Sequence, residues 1–344
     1  MKRLTFFILV LSGLIIVSSC TCKRNNTTPP KKETEVKDSD IKIKIHRFEK
    51  DWYAMNPNDI SNELLKLKQE TPMLFNAYYN FVMEFPRMGN ETQQQQIIKD
   101  FITKPQMKGL YDSVMKKYPN LDFLEKELTN AFIKFKSYFP EKPIPKVFTC
   151  ITEFAGFPAF TYGDSLLGIC IDDYLGAKYV YYPNFFYDYQ MYSLDKPFLA
   201  VQAMNVIATN QINAPEPQST LLDKMLIYGK ILYFVETMLP KEKQENIMRY
   251  TKQQYDWCEN NKKQIWGYFL DKKLLYETKP EHIKYVEEAP STYGMPSESP
   301  GRVGAWLGWQ IIRSYMKNNP NTTLKELIAN QESQKILEAA NFKP

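Results

Sequence analysis

The sequence predicts an α+β fold, mostly helical with a small β-sheet. Helical periodicity runs through residues 60–136 and returns from 197 to the C-terminus, with prolines at the segment ends. Between these blocks lie two apolar, β-branched runs, "KVFTCITEF" (146–154) and "SLLGICIDDYLG" (165–176). Ahead of everything stands an apolar leader that ends at a cysteine.

That leader leaves the fold argument first. Met1-Lys2-Arg3 is basic, and Leu4 to Val17 is an apolar stretch of 14 residues. It is short of the roughly 20 needed to span a bilayer. Val17-Ser18-Ser19-Cys20 then puts small residues directly before a cysteine. This is the pattern of a bacterial lipoprotein signal peptide over residues 1–19, with Cys20 as the lipid-attachment residue. Acyl chains contribute about 0.8 kcal/mol per buried methylene, so several of them hold a protein stably on a membrane. Residues 20–42 read as the lipidated cysteine and a flexible tether, because they are polar, charged and poor in large apolar side chains. The globular domain is expected over residues 43–344.

Within that domain "IKIKIHRF" (41–48) alternates apolar and charged residues and reads as a strand. Helices follow at "DISNELLKLKQ", "MLFNAYYNFVMEF", "ETQQQQIIKDFI", "QMKGLYDSVMKKYP" and "LDFLEKELTNAFIKFKSYFP". The two apolar runs after them are expected as neighbours in one sheet, joined by a Gly/Pro/Tyr connection. Helices return at 197–211, 219–240, 254–275 and 300–317, and a last amphipathic helix closes the chain.

Composition narrows the function. Lys and Arg number 44 against 39 Asp and Glu, a net charge of +5 that is scattered along the chain, so nucleic acid is not an expected partner. Five cysteines without a CxxC pair exclude a disulfide-dense scaffold and a thiolate zinc knuckle. Cys150 and Cys170 sit in the neighbouring strand runs, where they can meet or remain thiols. Only His46 and His282 exist, so no HExxH helix can form. Asp172-Asp173 is the best local carboxylate pair, and its bland reading is a strand-to-loop boundary. The aromatic stretch "YVYYPNFFYDYQMY" (179–192) can stack on sugars or pack over the sheet; packing is the favoured reading.

The segment "SPGRVGAWLGWQIIRSYM" (299–316) holds Gly301, Gly304 and Gly308 in an apparent helix, each at roughly 1 kcal/mol against alanine. Ser299 reads as its N-cap and Pro300 as its first residue. The glycines are expected to admit a second backbone. Ser299 and Arg302 at the helix start form a candidate anion site, with Arg302 expected to pair with a carboxylate of the fold.

These blocks, with "RFEKDWY", "KSYFPEKPIPKVFT", "LLDKMLIYGKILYFVETMLP" and "QIWGYFLDKKLLY" in order behind the lipobox, resemble the gliding-motility lipoprotein GldB family. The resemblance covers nearly the whole mature chain, and the 298–316 block is its most specific part. It implies an envelope lipoprotein of Bacteroidetes-type bacteria, associated in gliding species with motility. That family is in turn similar to zincin metallopeptidases that have lost their catalytic groups. On this correspondence Gln202 and Val206 occupy the histidine positions of an HExxH helix, and Ala203 that of the catalytic glutamate. Tyr228-Gly229 stands where a Glu-Gly pair would be, and Gln202, Asn205 and Tyr228 line the vestigial cleft.

The expectation is therefore a non-catalytic, membrane-anchored envelope protein with no catalytic residues, metal or cofactor. Its partners are the membrane, through the lipid on Cys20, and other envelope proteins. It faces the periplasm, with the outer membrane favoured. The rival reading is a glycan or peptide binder, or a hydrolase, using the vestigial cleft.

Overall fold

The structure, a computed structural model, describes residues 29–32 and 41–344. The leader and Cys20 lie outside the described residues. Chain order begins with β1 (Ile45–Arg47) and α1 (Phe48–Tyr53). Then come α2 (Ile60–Glu70), α3 (Pro72–Phe75), which continues as a π-helical turn over Asn76–Val82, α4 (Glu91–Thr103), α5 (Pro105–Lys117) and α6 (Asp122–Tyr138). The sheet is completed by β2 (Lys146–Cys150), β3 (Ala159–Tyr162) and β4 (Leu166–Cys170). After an aromatic loop containing α7 (Asp188–Met191) follow α8 (Leu199–Gln211), α9 (Leu221–Met238), α10 (Gln244–Met248), α11 (Lys252–Asn260) and α12 (Lys262–Asp271). The chain ends in α13 (Val303–Asn318), α14 (Leu324–Ala329) and α15 (Ser333–Ala340). The α+β class holds, with a single four-stranded mixed sheet among the helices.

The sheet order is β1-β2-β4-β3. β1 and β2 are parallel, as are β2 and β4, so helices α1 to α6 form the crossover between the first pair. β3 runs antiparallel to β4 at the edge. The register sets Cys150 opposite Cys170, and both remain buried free thiols. All layers share one apolar core in which Phe48, Trp52, Phe148, Trp306 and Trp309 are almost fully enclosed. Among the described residues, no helix is long and apolar enough to cross a membrane.

One sequence boundary moves. Regular strand pairing in the 41–48 segment is confined to Ile45–Arg47, and two amides of the segment are taken by α6 side chains. The Ile43 amide donates to Thr129 Oγ1 at 3.0 Å and the Ile45 amide to Glu125 Oε1 at 3.1 Å. Residues 29–32, within the segment expected as tether, lie against the domain. Pro30 is buried, and Lys31 forms a parallel bridge with Thr323, just before α14.

Helix α9 runs through the middle of the helical half and lies directly on α13. A Cβ added at Gly308 would sit 1.9 Å from the Met225 carbonyl oxygen, and one at Gly229 would sit 2.4 Å from the Gly308 carbonyl carbon. Neither distance is tolerable, so glycine on both helices is what permits backbone contact. That contact lets Trp306 and Trp309 bury fully, which offsets the helix-propensity cost of the glycines. The seam is locked by Glu236 of α9. Its carboxylate accepts from Trp309 Nε1 at 2.9 Å and from Arg313 Nε and NH2 at 2.9 and 2.8 Å. The Arg313 guanidinium also lies 3.7 Å from the Trp309 ring centroid.

Candidate functional site

The N-terminal approach to α13 differs from the sequence expectation. The helix starts at Val303 and not at Pro300, and its N-cap is Arg302 in a left-handed conformation, φ 63°. Ser299 is therefore not a cap. Its hydroxyl donates to the Pro300 carbonyl at 3.1 Å within the preceding turn. Thr292 braces that turn instead, donating to the same carbonyl at 2.6 Å and accepting from the Val303 amide at 3.4 Å. Gly301 lies outside the helix, where any Cβ would come within 2.1 Å of the Ala289 carbonyl.

Arg302 is the centre of a cluster. Its side chain is buried, with NH1 donating to the Met248 carbonyl at 3.3 Å and lying 3.9 Å from Glu288 Oε1. Arg249, at the C-cap of α10, pairs with the same carboxylate oxygen. It too is left-handed, φ 58°. A left-handed backbone costs a residue with a Cβ on the order of 1–2 kcal/mol. Two strained arginines thus share one carboxylate. Burial opposes ionisation of Glu288, but Arg249 and Arg302 outweigh it and hold its carboxyl below the usual range. The node keeps a surplus positive charge.

The expected residues are only partly brought together. Arg302 pairs with a carboxylate of the fold, and Tyr228 on α9 lies within its field. Ser299 is in the adjoining turn. Gln202 is buried on α8 and Asn205 is half-buried, and neither contributes to the Arg302 contacts among the described residues. Arg249 and Glu288 were not legible in the sequence. They stand 39 positions apart (249 to 288) in segments with no motif, and only the turn before α13 joins them.

The aromatic stretch 179–192 divides into an inner and an outer set. Inside, Tyr182 is fully buried; its hydroxyl donates to the Asp172 carbonyl at 2.8 Å and accepts from the Leu175 amide at 2.7 Å. Tyr182 and Phe186 pack edge-on to each other and around Phe154. Outside, Val180 and Tyr187 are 72% and 71% exposed, and Tyr181 and Phe185 are about half exposed. Tyr187 stacks on Tyr189 with centroids 5.8 Å apart. Tyr189, Gln190 and Ser193 then line a small hollow of about 30 Å³ with Arg249, Glu288 and Arg302. Gln190 hydrogen-bonds Glu288. Tyr187 is therefore linked to the cationic node through Tyr189.

Asp172 and Asp173 follow β4 directly and are both fully buried. The Asp172 carboxylate accepts from the Thr152 and Phe154 amides at 3.1 Å each, which ties the loop after β2. Burial pushes its pKa up to about 6. Among the described residues Asp173 has no hydrogen-bond partner on either oxygen, and burial followed by the neighbouring Asp172 drives its pKa well up.

The positions compared with a zincin do not fit zinc. A catalytic zinc site takes three imidazole, carboxylate or thiolate ligands. Gln202 offers a buried amide, while Ala203 and Val206 offer no donor. Burial, with Glu287 adding to it, raises the Tyr228 pKa. Among the described residues no group of three His, Cys, Asp or Glu is placed to hold a metal.

The comparison with known families follows from the whole domain. The model of the family described as gliding motility protein GldB matches residues 29–344. The chain belongs to this family. The match starts at Pro29, beside the buried Pro30. No curated protein and no solved structure matches the chain.

Proposed function

We propose that this GldB-family chain is a lipid-anchored, non-catalytic envelope component that holds a partner protein of the gliding or envelope machinery. It is attached through Cys20, faces the periplasm and sits on the outer membrane. The observation that carries the reading is the outer face of the aromatic loop. Val180, Tyr181, Phe185 and Tyr187 are exposed on a base that Tyr182, Phe186 and Phe154 fasten to the core. Exposed aromatic side chains on a rigid base suit a protein interface, where Tyr and Arg dominate binding energy. Strain at Arg249 and Arg302, close under this loop, is the kind of cost that persists at functional positions.

The non-catalytic part of the proposal rests on donor chemistry, since an amide, a methyl, an isopropyl and a neutral phenol supply neither zinc ligands nor a general base. Three measurements test the whole. Cys20→Ala should lose lipid labelling and leave the membrane fraction; retained labelling would remove the anchor. A photo-crosslinking residue at Tyr187 should give one discrete protein adduct in whole cells, absent with the same residue at exposed Tyr276. Equal adducts at both positions would refute an interface on the loop. Purified protein carrying one zinc per chain, with chelator-sensitive peptidase activity, would overturn the non-catalytic reading.

A further inference from the structure

A second site lies away from the aromatic loop and stands independently of it. An open groove of about 520 Å³ is bounded by the end of α6, the 211–219 loop, α9 and the junction between α14 and α15. That volume falls in the range of ligand sites. Phe139, Ile212, Leu226 and Ile328 give it apolar walls. Lys230 of α9 lies among them, only 4% exposed.

Lys230 is unusual in what it lacks. Its ammonium donates to the Asn330 carbonyl, and among the described residues no carboxylate pairs with it. The other charges around the groove are already engaged. Lys142 pairs with Asp164 and Lys325 with Glu141, while Asp223 is taken by the Thr220 amide and hydroxyl. Glu216 lies on the loop and forms no ion pair among the described residues. A buried ammonium with three donors and one neutral acceptor is left short of hydrogen bonds, and Asp223 attracts it without forming a direct ion pair. Burial lowers its pKa to about 8, so it remains largely protonated at neutral pH.

We propose that this groove binds the C-terminal end of a partner polypeptide, with the terminal carboxylate on Lys230 and an apolar last side chain against Ile212 and Leu226. A carboxylate supplies a direct countercharge and two strong acceptors. The adjacent loop 213–217 is neither helix nor strand, so its backbone can run beside an extended peptide.

The test displays random peptides with free C-termini to the full chain at pH 7 and resynthesises the enriched sequences as acid and as amide. Enrichment of apolar C-terminal residues is expected, with the acid at least tenfold tighter than the amide. Lys230→Met should weaken the acid at least tenfold and leave the amide unchanged. Ala214→Trp, which fills the mouth without touching Lys230, should weaken both. Affinity of the acid for the wild type should fall as pH rises from 7 to 9 and Lys230 loses its proton. Equal binding of acid and amide, no enrichment, or undiminished binding by both variants would overturn the proposal. If Lys230→Met does not fold, the pH profile and Ala214→Trp decide alone. Tyr187 crosslinking is unaffected by any of these outcomes, so the two sites fail separately.

Discussion

The N-cap of α13 and its second half each carry an arginine, and the two are built on opposite principles. Arg313 meets one carboxylate, Glu236, in a two-pronged contact, stacks on Trp309 and adds Gln310 and Gln244. Its charge is matched. Arg302 shares Glu288 with Arg249, reaches it only at 3.9 Å, and holds a left-handed backbone to do so. Its charge is in excess. A matched buried pair is what a fold needs to close a seam, whereas a surplus charge on strained backbone gives stability little. The difference separates the part of α13 that makes the structure from the part that faces the aromatic loop.

The sharpest way to break this comparison is at the matched end. Glu236→Ala leaves Arg313 buried without a countercharge and Trp309 Nε1 without an acceptor. Removing one partner of a buried pair costs about 3–5 kcal/mol, and urea unfolding should show a loss of that size. A loss under about 1 kcal/mol would mean that the seam does not depend on the pair. The next effect is steric. Gly308→Leu drives a side chain into the Met225 carbonyl. Overpacking of this kind costs about 1–3 kcal/mol or more, and an unchanged melting temperature would separate the two helices.

Much of this seam is legible in the sequence, and the reasons are local. Gly304 and Gly308 announce close approach because glycine is the wrong residue for an isolated helix, although only Gly308 meets α9, while Gly304 meets the Tyr285 backbone. The helices between 60 and 136 are legible because Pro72, Pro105 and periodic apolar residues mark their ends and faces. β3 is less so: "AFTY" is four residues long and follows Pro158, and only the Gly163-Asp164 turn hints at a hairpin. The 254–275 helix divides at Asn261, and the last helix divides at Asn330, whose extended backbone stops α14. The candidate site is much less legible. Tyr228 and Arg302 were singled out, but Arg249, Glu288 and Lys230 carry no motif. Their roles arise from which charges burial leaves unmatched, a property of three-dimensional packing and not of spacing.

Lys230 offers a third test, with the opposite sign. Its pKa falls from 10.5 to about 8 on folding, so between those values the unfolded chain binds more protons than the folded one. Stability should therefore rise with pH from about 8 towards 10.5, and below 8 the buried charge is a full liability. Lys230→Met removes it. Replacing buried charge by a well-packed apolar group stabilises by about 1–4 kcal/mol in comparable cases. The variant should melt above the wild type at pH 7, with the gap closing towards pH 10.5. A variant that melts lower at pH 7 would show that Lys230 is already compensated in the fold.

The smallest effect is expected at the unmatched end of α13, where smallness is the point. Arg249→Gln takes one of two cations from Glu288, and Arg302 remains to neutralise it. The side chains of Arg249 and Glu288 are 18% and 34% exposed, so water screens part of the pair. Like-charge repulsion from Arg249, which together with burial lowers the Arg302 pKa, disappears as well. The net change in stability should stay within about 1 kcal/mol. Arg249→Gly goes further, because it also relieves the left-handed backbone, and it should be no less stable than Arg249→Gln. Crosslinking from Tyr187 should nevertheless weaken in both, since Gln190 is held through Glu288 beside Arg249. Loss of 3 kcal/mol or more in Arg249→Gln, with crosslinking proportional to the folded fraction, would make this node a second structural lock like the one at Arg313.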